Sequence, residues 1–185
     1  MRVILWRIAE IPQFSCLYNK TAMPLTHIPG APMPETTYRF RTVAQARDLA
    51  QQLAQDCPRT AAVETGLFEL FMNAIEHGNL EIGGIKKGIL IAEDRLVEEI
   101  EARLAIQPYH DRMVEVDVDR SANAIVFTVR DAGPGFNWRI FMDRDANSLQ
   151  QQFGRGILIA RKLAFDELNY SATGNSVTAS VFLDK

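Results

Sequence analysis

Residues Glu69-Leu-Phe-Met-Asn73-Ala-Ile-Glu76-His77-Gly78-Asn79 carry an acid and an amide four positions apart in a segment with helical spacing. Side chains four residues apart are neighbours on a helix, and His77 continues the same stripe. An amide oxygen is a hard ligand suited to Mg²⁺, and a carboxylate one turn away can accept a proton from a hydroxyl or orient a water. Alone, this pair is more often an exposed helix face than a site.

A second informative segment is Asp131-Ala-Gly133-Pro-Gly135, which directly follows a predicted strand. Loops that leave strand ends commonly carry binding sites. A buried carboxylate at Asp131 could accept a hydrogen bond from an exocyclic amine such as that of adenine, and the two glycines would allow close approach of a ligand. Asp, Gly and Pro are also ordinary turn residues, so this segment alone favours a simple turn.

The third segment, Gly154-Arg155-Gly156, precedes an apolar helix. The exposed N–H groups and the dipole at a helix N-terminus favour phosphate, and glycine lets the backbone approach it. Arg155 could add a charge-assisted contact to a phosphate oxygen, or it could be a surface arginine. Each segment is a weak signal by itself, but the three together predict a site that holds a nucleotide and its phosphates.

The composition is that of a soluble globular protein of one domain, with 185 residues, 47% hydrophobic and 23% charged. A net charge of −3 gives no general attraction to nucleic acid or to an anionic membrane, so neither is expected as a partner. No apolar run approaches the roughly 20 residues needed to span a bilayer, and no signal peptide is predicted. Cys16 and Cys57 lie apart without metal-site spacing, as expected of free thiols in the cytoplasm.

The hydrophobic pattern divides the chain into an N-terminal arm over residues 1–36, rich in proline, and one domain over residues 37–185. Alternating apolar residues predict strands, and apolar residues at helical spacing predict helices. The predicted strands lie near 3–8 and over 38–41, 114–118, 125–129, 167–171 and 177–183. The predicted helices cover 43–55, capped by Thr42, then 59–77, ended by Gly78, then 89–106 and 156–165, with a glycine-containing loop over 81–88. This order predicts an α+β fold, a two-layer sandwich in which helices cover one face of a mixed, mostly antiparallel sheet.

The three segments resemble the N-box (ExxxNAxxHG), the G1 box (DxGxG) and the G2 box (GxG before a helix) of the GHKL, or Bergerat-fold, ATPases. Within that superfamily, Gly154-Arg-Gly-Ile-Leu-Ile-Ala-Arg161, Asp166-Glu167 and Gly174-Asn-Ser-Val177 resemble the bacterial anti-sigma-factor serine/threonine kinases. The segment from Asp131 to Trp138 also resembles ATPase domains attached to response regulators and PP2C-type phosphatases. The resemblance extends over residues 38–183.

The resemblance implies a role for each matching residue. Asn73 would contact Mg²⁺, Glu69 would be the general base, and Asp131 would accept the adenine amino group. Residues 137–153 would form a short ATP lid. The remaining nucleotide contacts would come from His77, Gly133, Gly135, Gly154, Arg155 and Gly156.

The resemblance also implies that ATP is the phosphate donor and that the substrate is a serine or threonine of a STAS-fold anti-anti-sigma protein. A sigma factor or a PP2C-type phosphatase regulator is a further expected partner, and a homodimer is the expected assembly. Two features depart from the family pattern: Asn175 replaces a common threonine, and the helical region over 85–106 is longer than the minimal kinases need.

Two alternatives to the kinase hypothesis remain. The chain could be a catalytically inactive module in which ATP only controls partner binding, because binding and catalysis use nearly the same residues. The ATPase domain of a sensor histidine kinase ranks below both. It would need a phospho-accepting histidine in a helical dimerisation segment, and His27, His77 and His110 do not lie in one.

Overall fold

A computed structural model describes residues 36–139 and 155–183, with Arg155 described by its backbone alone. The predicted arm over 1–36, except Thr36, lies outside the described residues, and so does the strand expected near 3–8. The same holds for Cys16, for positions 140–153 of the expected lid and for Gly154.

Five strands form one sheet in the order β1-β2-β3-β5-β4. All four pairings between these described strands are antiparallel, as expected of a mostly antiparallel sheet, and none of the described pairs is parallel. The short connection between β2 and β3 leads to an antiparallel hairpin. The strands are β1 Thr36–Phe40, β2 Val114–Arg120, β3 Ala124–Arg130, β4 Glu167–Tyr170 and β5 Ser176–Phe182.

The helices form the second layer. α1 begins with the capping box of Thr42 and Gln45, in which each side chain accepts a hydrogen bond from the other residue's backbone N–H. The helix that carries the acid and the amide, α2, contacts both α1 and α5. The described helices are α1 Val43–Ala54, α2 Thr60–Asn73, α3 Gly84–Ala92, α4 Leu96–Leu104 and α5 Arg155–Ile159.

The core lies between the two layers, which confirms the predicted α+β sandwich. Phe40 of β1 packs against Phe71 of α2 with ring centroids 4.8 Å apart, and Phe127 of β3 packs against Phe165 at 6.4 Å. Buried valines of β2 alternate with half-buried acids on the opposite face of the sheet. Burying each large apolar side chain stabilises the fold by about 1.5–3 kcal/mol.

Helix α2 does not end before Gly78, so that prediction is wrong. It continues through a π-helical turn, Ala74–Asn79, in which the Leu80 N–H donates to the Ile75 carbonyl at 2.8 Å. The wider turn buries Glu76 and Asn79, which face the protein interior. Helix α5 likewise continues into a π-helical turn, Ala160–Ala164, and ends close to the predicted position.

The predicted single helix over 89–106 is two helices, α3 and α4, and the expected loop over 81–88 contains the first turn of α3. The helical conformation is interrupted between them at Asp94, whose φ is 55°. On one continuous helix Leu90 and Leu96 would point about 120° apart, and only the break lets both be buried. Within α4, Arg103 pairs with Glu99 one turn earlier, with an Nε–Oε1 distance of 2.8 Å.

Two smaller expectations can also be compared with the described residues. Within 36–139 and 155–183, none of the helices has the length and apolar character needed to cross a bilayer. Cys57 is a buried free thiol whose pKa is raised to about 11 by burial and by the nearby Asp56.

Candidate functional site

The acid and the amide lie on the same side of α2, as predicted. The carboxylate of Glu69 packs against the backbone of Gly156 at the start of α5. A Cβ added to Gly156 would overlap the Oε2 atom of Glu69 and would lie 3.3 Å from its Cδ. The absence of a side chain at Gly156 therefore lets the start of α5 approach the acid.

A cleft opens between α2, the end of β3 and the β4–β5 connection. It brings together four of the predicted site residues: Asn73, His77, Asp131 and Gly135. Glu69, Gly133 and Gly156 border this region but do not line the cleft. Its other lining residues are Leu70, Ala74, Gly78, Val129, Phe136, Tyr170, Gly174, Asn175, Ser176 and Val177.

The side-chain amide of Asn73 lacks part of its possible hydrogen bonding within the described protein. Its Nδ2 atom is buried and has no hydrogen-bond partner among the described residues. The two ends of a carboxamide exchange by rotation, so either the nitrogen or the oxygen can be turned toward a ligand. A buried amide without a partner costs about 1–3 kcal/mol, which a ligand in the cleft would recover.

The donor set at Asn73 fits Mg²⁺ bound together with phosphate. Among residues 36–139 and 155–183 there is no group of three or more His, Cys, Asp or Glu side chains that could hold a metal ion. Mg²⁺ commonly takes only one or two protein ligands and completes its shell with water and phosphate oxygens. A single amide beside a phosphate site is therefore sufficient.

Asp131 is held at the end of β3 in a poorly solvated position. Burial raises the pKa of its carboxyl to about 6, although the Gly133 N–H and the charge of Arg112 act in the opposite direction. That N–H donates to Oδ1 at 2.9 Å. A Cβ at Gly78 would overlap the Asp131 carboxylate, so this glycine permits the close contact between the π-helical turn and β3.

Asn79 fixes the loop that follows Asp131. Its Oδ1 accepts a hydrogen bond from the Ala132 N–H at 2.8 Å, and its side chain is buried. Sequence reasoning missed this role because Gly78-Asn79 was interpreted as the end of a helix. The hydrogen bond between Asn79 and Ala132 connects the π-helical turn after α2 to the loop that carries Gly133 and Gly135.

His77 lines the cleft as a neutral imidazole. Its Nδ1–H donates to the Ile82 carbonyl at 2.5 Å, which leaves Nε2 as an acceptor. Burial lowers the pKa of His77, and this effect exceeds the opposing influence of Glu76. The ring can therefore accept a hydrogen bond from a ligand but carries no charge to attract phosphate.

One wall of the cleft is aromatic, and the sequence did not predict it. Phe136 meets Tyr170 edge to face at 5.6 Å, and Trp138 stacks on Tyr170 at 5.7 Å. Gly135, with φ of +83°, makes the turn that brings Phe136 into the cleft. No local signal marks such a wall, because Phe136 and Trp138 lie in a loop and an aromatic residue in a strand, such as Tyr170, is typical of core packing.

Asn175 is the residue that replaces the threonine common in the family pattern. Its Oδ1 accepts a hydrogen bond from the Thr173 hydroxyl at 2.6 Å, so the amide oxygen is engaged within its own turn. The residue still lines the cleft. Gly154 and the side chain of Arg155 lie outside the described residues, and their predicted phosphate contacts stay predictions.

Comparison with known families gives one match. The model of the histidine kinase-like ATPase domain matches residues 32–181, which contain every site residue discussed above. Among curated proteins, none matches this chain.

Proposed function

Because the chain belongs to the family of histidine kinase-like ATPase domains, we propose that it is an ATP-dependent serine/threonine protein kinase of the anti-sigma-factor type. Membership supports a GHKL-type, ATP-binding module. The kinase activity, the STAS-type substrate and the use of Mg²⁺ are the proposal.

The observation that carries the proposal is the position of Glu69. Its carboxylate lies one turn from Asn73 and against the backbone of Gly156. Asn73 in turn lines the cleft that holds Asp131. A general base for transfer of the terminal phosphate must lie beside the phosphates and away from the nucleobase. Glu69 borders the cleft and so meets this requirement.

The proposed reaction transfers the terminal phosphoryl group of ATP to a hydroxyl of the substrate protein. The serine or threonine oxygen forms a bond to the γ-phosphorus, and the bond from that phosphorus to the β,γ-bridging oxygen breaks. The hydroxyl proton passes to the Glu69 carboxylate, and ADP leaves with the bonding electron pair. When bound, Mg²⁺ would neutralise charge on the phosphates, and Asn73 is the residue that would hold it.

A transfer assay tests the proposal. The purified chain is incubated with STAS-domain proteins from the same genome and with ATP labelled at the γ-phosphate. We expect phosphoserine or phosphothreonine on one of them. Glu69→Gln should slow transfer by about 10²–10⁴-fold while ATP still binds, because it removes the base and preserves size. Glu64→Gln, on the same helix, is the matched control and should transfer at the wild-type rate.

Two results would count against the kinase. If Glu69→Gln transfers phosphate as fast as the wild type, this residue is not the base. If the wild type binds ATP but modifies none of the STAS proteins, the chain is the inactive regulatory module. In that case ATP should still change partner binding, and Asn73→Ala should abolish that change.

The partners follow from the same proposal. We expect a STAS-domain antagonist and either a sigma factor or a PP2C-type phosphatase regulator, with the chain acting as a homodimer in a bacterial cytoplasm. Affinity capture of partners with and without ATP identifies them. Light scattering measures the assembly, and a monomer at all concentrations would exclude the homodimer.

A further inference from the structure

Tyr170 lines the cleft and carries a buried hydroxyl to which none of the sequence motifs assigns a role. The residue is the last of β4 and is paired with Val177 of β5. Its ring lines the cleft together with Asp131, and its hydroxyl is buried without a hydrogen-bond partner among the described residues. A buried hydroxyl in that state lowers stability, and a phenylalanine would give the same packing without the cost.

The ring of Tyr170 is packed against two other aromatic rings. Phe136 meets it edge to face and Trp138 lies nearly parallel to it, with an interplanar angle of 20°. Trp138 is itself held by a hydrogen bond from its Nε1–H to the Ser171 carbonyl at 2.8 Å. These contacts hold the ring in place beside the cleft, and its buried hydroxyl makes no hydrogen bond to the described residues.

The walls of the cleft indicate which part of a nucleotide lies beside Tyr170. Among the described lining residues there is no lysine or arginine, and Val129, Phe136 and Val177 give apolar surfaces. Such surfaces suit a flat purine ring rather than phosphates. Burial also raises the pKa of Tyr170, so its hydroxyl stays neutral and can both donate and accept.

We propose that Tyr170 is a nucleobase-recognition residue whose hydroxyl bonds a polar atom of the purine ring held against Asp131, directly or through one ordered water. This inference rests on the proposed function, because it assumes that the cleft binds ATP. The Tyr170 hydroxyl would give the purine a polar contact that the glycine-rich motifs do not supply.

The test compares binding of two probes by calorimetry. The first is ATP with Mg²⁺, and the second is inorganic tripolyphosphate with Mg²⁺, which lacks the base. We expect Tyr170→Phe to weaken ATP binding by about five- to tenfold and to leave tripolyphosphate binding unchanged. Tyr109→Phe is the matched control, because Tyr109 is also a partly buried aromatic residue but lies outside the cleft, between Arg103 and Arg112. It should not change either affinity.

A measurement without nucleotide separates recognition from support of the fold. We expect Tyr170→Phe to unfold at the same or higher urea concentration than the wild type, because it removes an unpaired buried hydroxyl. Clear destabilisation, or a parallel loss of affinity for both probes, would show a structural role and overturn the inference. Unchanged ATP affinity in Tyr170→Phe would overturn it while leaving ATP binding intact. A wild type that binds no ATP would overturn the proposed function as well.

Discussion

The buried carboxyl group of Asp131 lowers the stability of the folded chain at neutral pH. Burial raises the pKa of its carboxyl from 3.8 to about 6, so the folded chain binds this proton more tightly than the unfolded chain does. The favourable contribution of Asp131 to folding is therefore complete below about pH 4 and is lost as the pH rises through 6. At neutral pH the ionised carboxylate opposes folding, which is understandable if a ligand uses it.

Replacing this carboxylate by a neutral isostere should separate stability from binding. We expect Asp131→Asn to have a larger free energy of unfolding than the wild type at about pH 8, with the difference closing below about pH 4. Its ATP affinity should fall, because the amide presents a donor where an adenine amine needs an acceptor. Urea titrations across this pH range and calorimetry measure the two effects. A variant that is less stable than the wild type at pH 8 would contradict the predicted direction.

Between elements, the insertion formed by α3 and α4 holds the π-helical turn of the site. Arg112 donates to the Asn79 carbonyl at 2.8 Å, and Arg103 donates to the Leu80 carbonyl. Lys87 of α3 pairs with Glu76, whose side chain is fully buried. Helices α3 and α4 thus hold Glu76 and Leu80, whereas Arg112, which precedes β2, holds Asn79 and through it the loop after Asp131.

Two adjacent lysines of α3 provide a matched test of this support. Lys87 pairs with the buried Glu76, whereas Lys86 pairs with Glu99 at 2.5 Å in an exposed position. Lys87→Met should lower the free energy of unfolding by about 3 kcal/mol, because it leaves a buried carboxylate without its cation. Lys86→Met should cost less than about 1 kcal/mol. Urea unfolding measures both, and equal losses would show that the buried pair has no special role.

For the whole molecule, the sequence predicted what depends on local periodicity. The alternation Val114, Val116, Val118 gave the strand β2 and its buried face, because every second residue of a strand points the same way. It could not give the π-helical turn or the break at Asp94, since both follow from which side chains the rest of the fold can bury. In the same way, the motifs predicted that Asn73 and Asp131 meet in one cleft. They did not reveal Tyr170, whose position depends on how β4 packs beside the loop that follows β3.

Binding of nucleotide should stabilise the folded chain as a unit. With Mg²⁺–ATP at about 100 times its dissociation constant, linkage predicts about 2.7 kcal/mol of added stability. For a domain of this size that corresponds to a rise of roughly 5–10 °C in Tm. Asn73→Ala should lose the part of the rise that depends on Mg²⁺, because the amide is the protein group that would hold the metal. Thermal unfolding with ATP, in the presence of Mg²⁺ or EDTA, separates that part from binding of the base.

The control variant is Asn169→Ala, which changes an exposed asparagine of β4 and should keep the full rise in Tm. If both variants keep it, Asn73 does not hold the metal. If the wild type shows no rise, the cleft does not bind ATP under these conditions and the nucleotide-dependent switch is excluded.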